Sequence, residues 1–212
     1  MPIYNGIEFI DESVSTVLYQ SFKEWELMIG INGHEKDSSV YTIAKQYENK
    51  DPRIRVIDYY TICGKSNTLN KMVKEAKYNW IALLDVDDKW LPNKLKIQKS
   101  YMKHYDIIGT NCKYFGDLNI SPNIPFGDLN TFNFLRFNPI INSSCLLKKE
   151  LCIWNPYEDG VEDYNLWLSL WKKNKKFYNV SEIQVLHRIH KNSAFNANQN
   201  NLKAKRLITK YK

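Results

Sequence analysis

Three times before residue 86, a stretch with helical apolar spacing is followed by a short run of β-forming residues, and this alternation restricts the fold more than any single motif. "FIDESVSTVLYQS" sets Ile10, Val14, Val17 and Leu18 on one helical face ahead of "WELMIGI" (25–31). "SVYTIAKQYE" precedes "RIRVIDYY" (53–60), and "SNTLNKMVKEAK" (66–77) precedes "WIALLD" (80–85). Strands joined through helices run parallel, and a parallel sheet is stable only when both faces are covered, so an α/β layered domain is expected.

After His104 the alternation loosens. "DIIGTNCKYFGD" reads as one or two strands, 119–130 as a Pro/Gly/Asn loop, "TFNFLRF" as a short helix, and "IINSSCLL" as a return to the core, which together predict a mixed sheet edge. "VEDYNLWLSLWKKN" (161–174) is a helix with Glu162 and Asp163 in its first turn, where acids complement the helix dipole whether or not they do chemistry. The basic tail 202–212 has a thin apolar face, which favours packing or fraying over membrane contact. With 212 residues and 43% hydrophobic content, one domain over 1–212 accounts for the chain.

A net charge of +7 favours anionic partners, but aromatic and basic residues are not interleaved as on a nucleic-acid platform, so no nucleic-acid role is expected. No apolar run reaches the ~20 residues of a membrane span. Cys63, Cys112, Cys145 and Cys152 form no C-x-x-C pair, which argues against zinc or redox motifs and for a reducing, cytoplasmic location; the basic charge is compatible with a membrane-peripheral one.

The chemistry concentrates where "WIALLDVDDKW" runs from apolar core into Asp85, Asp87 and Asp88. Crowded carboxylates need a metal ion, a basic side chain or a helix N-terminus. If the segment stays extended, Asp85 and Asp87 point the same way and with a diphosphate would form an all-oxygen site for Mg²⁺ or Mn²⁺; the plainer alternative is an acidic turn capping the helix at Pro92. "CGKSNTLN" (63–70) adds Gly64, Lys65 and a Ser66 able to cap a helix at the same sheet edge. "HRIHKNS" (187–193) adds His187, Arg188, His190 and Lys191. Trp90 and Trp167 read as core aromatics before sugar-stacking ones.

Taken in order, "MPIYNGIEFIDESVSTVLYQSFKEWELMIGING", "DPRIRVI", "GKSNTLNKMVKEAKYNWIALLDVDDKWLPNKLKIQ", "GVEDYNLWLSL" and "HRIHKNS" resemble the family 2 inverting glycosyltransferases. The resemblance implies a GT-A (Rossmann-like) fold: a mixed, mainly parallel sheet with helices on both faces. It implies a nucleotide-sugar-binding half over 1–110, an acceptor and catalytic half over 111–190, and a tail over 191–212. It also implies transfer of a sugar from a nucleotide-sugar donor to a glycan or other hydroxyl acceptor.

Carried onto this chain, Asp87 is the expected ligand of a Mn²⁺ or Mg²⁺ cofactor, Asp85 the group near ribose and metal, and Asp88 a supporting residue. His190 is a further phosphate or metal contact. Asp163, beside Glu162, is the expected general base. Pro2, Tyr4 and Asn5 belong next to the nucleoside, and Lys65 and Arg188 along the diphosphate. Two departures stand out. Where members carry an acidic pair that grips the base, this chain has "GINGH", leaving Asn32 to hydrogen-bond it. Members also have apolar residues before M-P-x-Y-N, so a truncated first strand is expected here. These departures make a catalytically inactive nucleotide-sugar or glycan-binding module the alternative.

Overall fold

The computed structural model describes residues 1–191 and 198–212; Asn192 and Ser193 of the "HRIHKNS" motif lie outside the described residues. In chain order the elements are β1 (Pro2–Ile3), α1 (Ile10–Leu18), β2 (Leu27–Asn32), α2 (Ser39–Lys45), β3 (Ile54–Tyr59), α3 (Lys65–Glu75) and β4 (Trp80–Ala82). They continue with β5 (Lys89–Trp90), α4 (Lys94–Lys99), β6 (Ile107–Gly116), β7 (Gly127–Asp128), β8 (Leu146–Lys148), α5 (Glu162–Lys172), β9 (Phe177–Ile189) and α6 (Asn198–Tyr211).

The strands form two sheets. β1, β2 and β3 are parallel in that order, and every residue of β2 is buried, as an apolar run covered on both faces requires. The second sheet runs β4-β8-β6-β9-β5 with β7 also on β9; only its β6–β9 pair is parallel. The mixed α/β architecture thus holds, its parallel part being β1 to β3; β4, which the alternation assigns to the same parallel sheet, instead pairs antiparallel with β8 in the second sheet.

The first strand is as short as expected. β2 pairs along all six residues with β3, but β1 meets only Gly30 and Ile31. Leu27 and Met28 face β4 across an apolar cavity of about 430 Å³ lined also by Met1, Trp80, Ile81 and Ala82. The Met1 backbone nitrogen donates to Met28 O (3.0 Å).

"TFNFLRF" departs from expectation. It forms turns instead of a helix, because Asn133 accepts the Leu135 N–H through its own side chain (3.0 Å) while Phe134 is pulled fully into the core. α6 packs: Leu207 is fully buried and Tyr211 donates to Asn165 Oδ1 (3.1 Å). Among the described residues no helix is long and apolar enough to cross a membrane.

Lys94, at the start of α4, is fully buried. Its Nζ donates to Gln98 Oε1 (2.9 Å) and lies 4.1 Å from the Trp90 ring centroid, and burial brings its pKa down to about 7. A buried amine depressed in this way penalises the fold fully below pH ~7, and the penalty fades as pH rises toward the unfolded value. Lys94→Met keeps the length and removes the charge, at the cost of one unmet Gln98 acceptor. The expected net gain is about 2 kcal/mol at pH 7, or roughly 4–8 °C in Tm, shrinking by pH 10. Calorimetry at both pH values checks it; a loss of stability at pH 7 would show that the ammonium is well satisfied.

Candidate active site

The apolar run of β4 ends in a turn, not in an extended segment: the Asp88 N–H donates to Asp85 O (3.1 Å). That turn sends the three acids to three different partners. Asp85 forms an ion pair with Lys65 Nζ (2.8 Å) and accepts from Asn142 Nδ2 (2.9 Å), while its backbone N–H donates to Ser143 Oγ (3.0 Å). Burial opposes its charge, but Lys65 outweighs burial and holds Asp85 below the usual carboxylate range.

Asp87 meets His190 Nε2 at 3.1 Å, and both side chains reach solvent. Burial, then the nearby Asp88 and Asp85 charges, push the Asp87 pKa up, so the site retains unneutralised negative potential. Asp88 is fully buried and saturated by β9: Oδ1 accepts the Arg188 N–H (2.8 Å) and Oδ2 pairs with His187 Nδ1 (2.9 Å). Burial resists protonation of His187, yet Asp88 overcomes it and raises the imidazole pKa. Asp88 therefore ties the turn to β9 and does not cap α4.

Lys65 opens α3 directly after Gly64, whose positive φ of 89° places the helix N-terminus at the end of the parallel sheet. It spans the acid turn and α5, pairing also with Glu162 Oε1 (3.3 Å). Burial works against its charge, but Asp85 and Glu162 keep it protonated well above the ordinary lysine value.

Glu162 and Asp163 start α5. Glu162 is buried and accepts the Gly160 N–H (2.6 Å). Half-buried Asp163 accepts from the Tyr164 N–H (2.6 Å) and from Asn138 Nδ2 (3.1 Å). Desolvation, then the Glu162 charge, push the Asp163 pKa up to about 6, with Lys65 opposing. A carboxylate at that value is ionised at neutral pH and more basic than a solvated one, as a general base needs.

A cavity of about 400 Å³ adjoins Lys65, walled by Pro2, Tyr4, Asn32, Gly33, Cys63, Gly64 and Asp159. Asn32 is buried at the end of β2, and Tyr4 is exposed with its ring 5.3 Å from that of His34. Asn5 is exposed and not on this wall. Arg188 is turned elsewhere: Nε donates to Asp87 O (2.9 Å), Nη2 pairs with Glu12 (3.0 Å), and the guanidinium lies 4.4 Å from the ring centroids of both Phe9 and Phe115. Trp90 and Trp167 are buried in the core.

Asp159 escaped the sequence reading. It accepts from the Ser66 N–H (3.1 Å) and from Ser66 Oγ, putting a carboxylate on the N-terminus of α3. The signal was the doubled E-D of "YEDGVEDY", of which only the second was considered.

A divalent cation was expected on Asp85, Asp87 and His190. The turn gives Asp85 to Lys65, and among the described residues no group of three or more His, Cys, Asp or Glu side chains is placed to hold a metal ion by itself. What remains is Asp87 with His190, solvent-reaching and in excess negative potential. That donor pair fits Mn²⁺, which accepts an imidazole beside a carboxylate; Mg²⁺, whose ligands are oxygens, would be held by Asp87 alone with water and phosphate oxygens.

A parallel sheet with a helix N-terminus at its carboxyl edge, an acid turn and a second carboxylate pair thus meet at one lysine, on the GT-A fold that the solved neighbours below share. The chain belongs to glycosyl transferase family 2, whose profile matches residues 1–145; Asp163 and His190 lie beyond that match. It is 32% identical over 190 residues to the UDP-Glc:alpha-D-GlcNAc-diphosphoundecaprenol beta-1,3-glucosyltransferase WfgD of Escherichia coli, covering 86% of this chain and 71% of that one. Among solved structures, S. aureus TarS 1-349 in complex with UDP-GlcNAc superposes with a TM-score of 0.79 at 16% identity, over 99% of this chain and 64% of that one. The mannosyltransferase PcManGT from Pyrobaculum calidifontis, in complex with GDP-Man and Mn2+, gives 0.69 at 13% identity, over 91% and 56%. This chain therefore spans less than two thirds of the length of those solved neighbours.

Proposed function

We propose that this chain transfers a sugar, with inversion, from a nucleoside-diphosphate sugar to an acceptor hydroxyl on a glycan, with Asp163 as general base. The observation that carries this reading is the meeting of two motifs distant in sequence: Lys65 bonds Asp85 of the acid turn and Glu162 beside Asp163, at the wall of the 400 Å³ cavity.

In that arrangement the nucleoside lies against Pro2, Tyr4 and Asn32, and the diphosphate near Lys65. The acceptor oxygen attacks the anomeric carbon as its proton passes to the Asp163 carboxylate, and the bond from that carbon to the diphosphate breaks. Lys65 faces the charge that develops on the leaving group, which favours the transition state over the bound donor. Asp87 and His190 are the residues that would hold a divalent cation, which when bound supplies further positive charge to the diphosphate.

UDP-Glc and UDP-GlcNAc, named for WfgD and TarS, and GDP-Man, named for PcManGT, make the donor panel. Nucleotide release is expected from one of the three, dependent on Mn²⁺ or Mg²⁺, abolished by EDTA and reduced in Asp87→Ala with Tm little changed. Saturable binding without release, in the presence of metal and a sugar acceptor, would instead identify a binding module.

A further inference from the structure

Both acids assigned above are gripped by one short segment. Residues 138–144 run between the two halves of the cleft, and each end donates a side-chain amide to a different carboxylate. Asn138 Nδ2 donates to Asp163 Oδ2 (3.1 Å), and Asn142 Nδ2 donates to Asp85 Oδ2 (2.9 Å). The next residue, Ser143, receives the Asp85 backbone N–H on its Oγ (3.0 Å).

The segment itself is immobilised. Asn138 Oδ1 accepts the Ile140 N–H (3.1 Å), which orients the amide so that its NH₂ faces Asp163. Pro139 O accepts from the fully buried Asn179 (2.8 Å), and Ile140 is fully buried. Ser143 O accepts from Trp90 Nε1 (2.8 Å), and Ser144 O from Gln98 Nε2 (2.8 Å). Anchors on β9, β5 and α4 therefore hold a rigid bar whose two ends fix the rotamers of two acids on separate elements.

From this geometry we infer that Asn138 and Asn142 are positioning residues that set the span between the acceptor side and the donor side of the reaction, Asn138 through Asp163 and Asn142 through Asp85. The inference rests on the reading of Asp163 as base. Neutral amides suit the task. An amide donor orients a carboxylate while withdrawing less of its basicity than a cation would, and the cleft already contains one cation in Lys65. Small displacements of a reacting group cost much of the advantage of pre-organisation.

The two ends should separate kinetically. With the best donor of the UDP-Glc, UDP-GlcNAc and GDP-Man panel, Asn138→Ala is expected to lower kcat about 10- to 100-fold with the donor KM within about twofold. Asn142→Ala is expected to raise the donor KM several-fold with a smaller effect on kcat. Asn138→Asp, which retains the acceptor for the Ile140 N–H and so the local fold, should lower kcat at least as far as Asn138→Ala. In an Asp163→Asn background, Asn138→Ala should have no further effect, because the carboxylate it orients is gone.

If Asp163→Asn abolishes turnover while Asn138→Ala and Asn138→Asp keep full kcat, or if the two sites add independently, the positioning role is wrong and the base assignment stands. If Asp163→Asn itself keeps full turnover, both fall. Loss of Tm in the asparagine variants with unchanged kcat per folded molecule would reduce the segment to a structural one.

Discussion

Asp163→Asn is expected to lower turnover about 10²- to 10⁴-fold, the usual worth of general-base assistance, while making the protein more stable. Both effects have one cause. Desolvation and the Glu162 charge raise the Asp163 pKa to about 6, so ionising it in the fold costs more than ionising it in the unfolded chain. For a carboxylate shifted upward, the unfavourable contribution is absent at low pH, grows between the unfolded value near 4 and the folded value near 6, and is complete above. At pH 7 the neutral amide removes that penalty but sets its NH₂ against the Asn138 NH₂ and loses that hydrogen bond, so the net gain should be about 1 kcal/mol. The pH profile carries the same signature: kcat/KM should climb about tenfold per unit up to pH ~6 and level off above it. An acid limb near pH 4, or a variant less stable than the parent, would count against a desolvated base at this position.

Asp88→Ala should damage the fold more than any change at its neighbour Asp87. Removing a fully buried carboxylate leaves the Arg188 N–H without its acceptor and His187 without the charge that favours its protonation. Breaking a buried pair from one side costs about 3–5 kcal/mol, enough to lower Tm by roughly 6–20 °C in a chain of this size. Asp87→Ala touches a side chain that reaches solvent and should leave Tm within a few degrees while lowering metal-dependent nucleotide release. Thermal unfolding of the two variants side by side separates them; equal loss of stability would mean that Asp87 is structural too.

That contrast within one four-residue stretch shows how far a sequence can be read. The alternation of helix and strand up to β4 was legible because each element needs only its own period, 3.6 or 2, to bury one face. It placed Lys65 and Asp85 at the carboxyl ends of successive strands, although β3 and β4 fall in different sheets, and the E-D pair stood out at the start of a helix. The roles of Asp85, Asp87 and Asp88 were not legible. An extended segment would align the first two, but the turn closed by the Asp88 N–H splits them among Lys65, His190 and β9. Asn142 and Ser143 read as part of a core return in "IINSSCLL", although two adjacent serines and an asparagine inside an apolar run were a hint of polar work. Arg188 carried a phosphate expectation from its motif, but Glu12 and the rings of Phe9 and Phe115 take its guanidinium.

What the chain determined by itself was the alternation of helix and strand up to β4, the parallel sense of the first sheet and which ends of its strands carry charge, because backbone periodicity and apolar spacing act over a few residues. Which carboxylate meets which donor was decided only by tertiary structure. Lys65 touches Asp85 and Glu162, Ser66 meets Asp159, and Asn138 and Asn142 reach Asp163 and Asp85. Each of these contacts depends on how two separately specified elements pack, and no local preference in the chain encodes the distance between them.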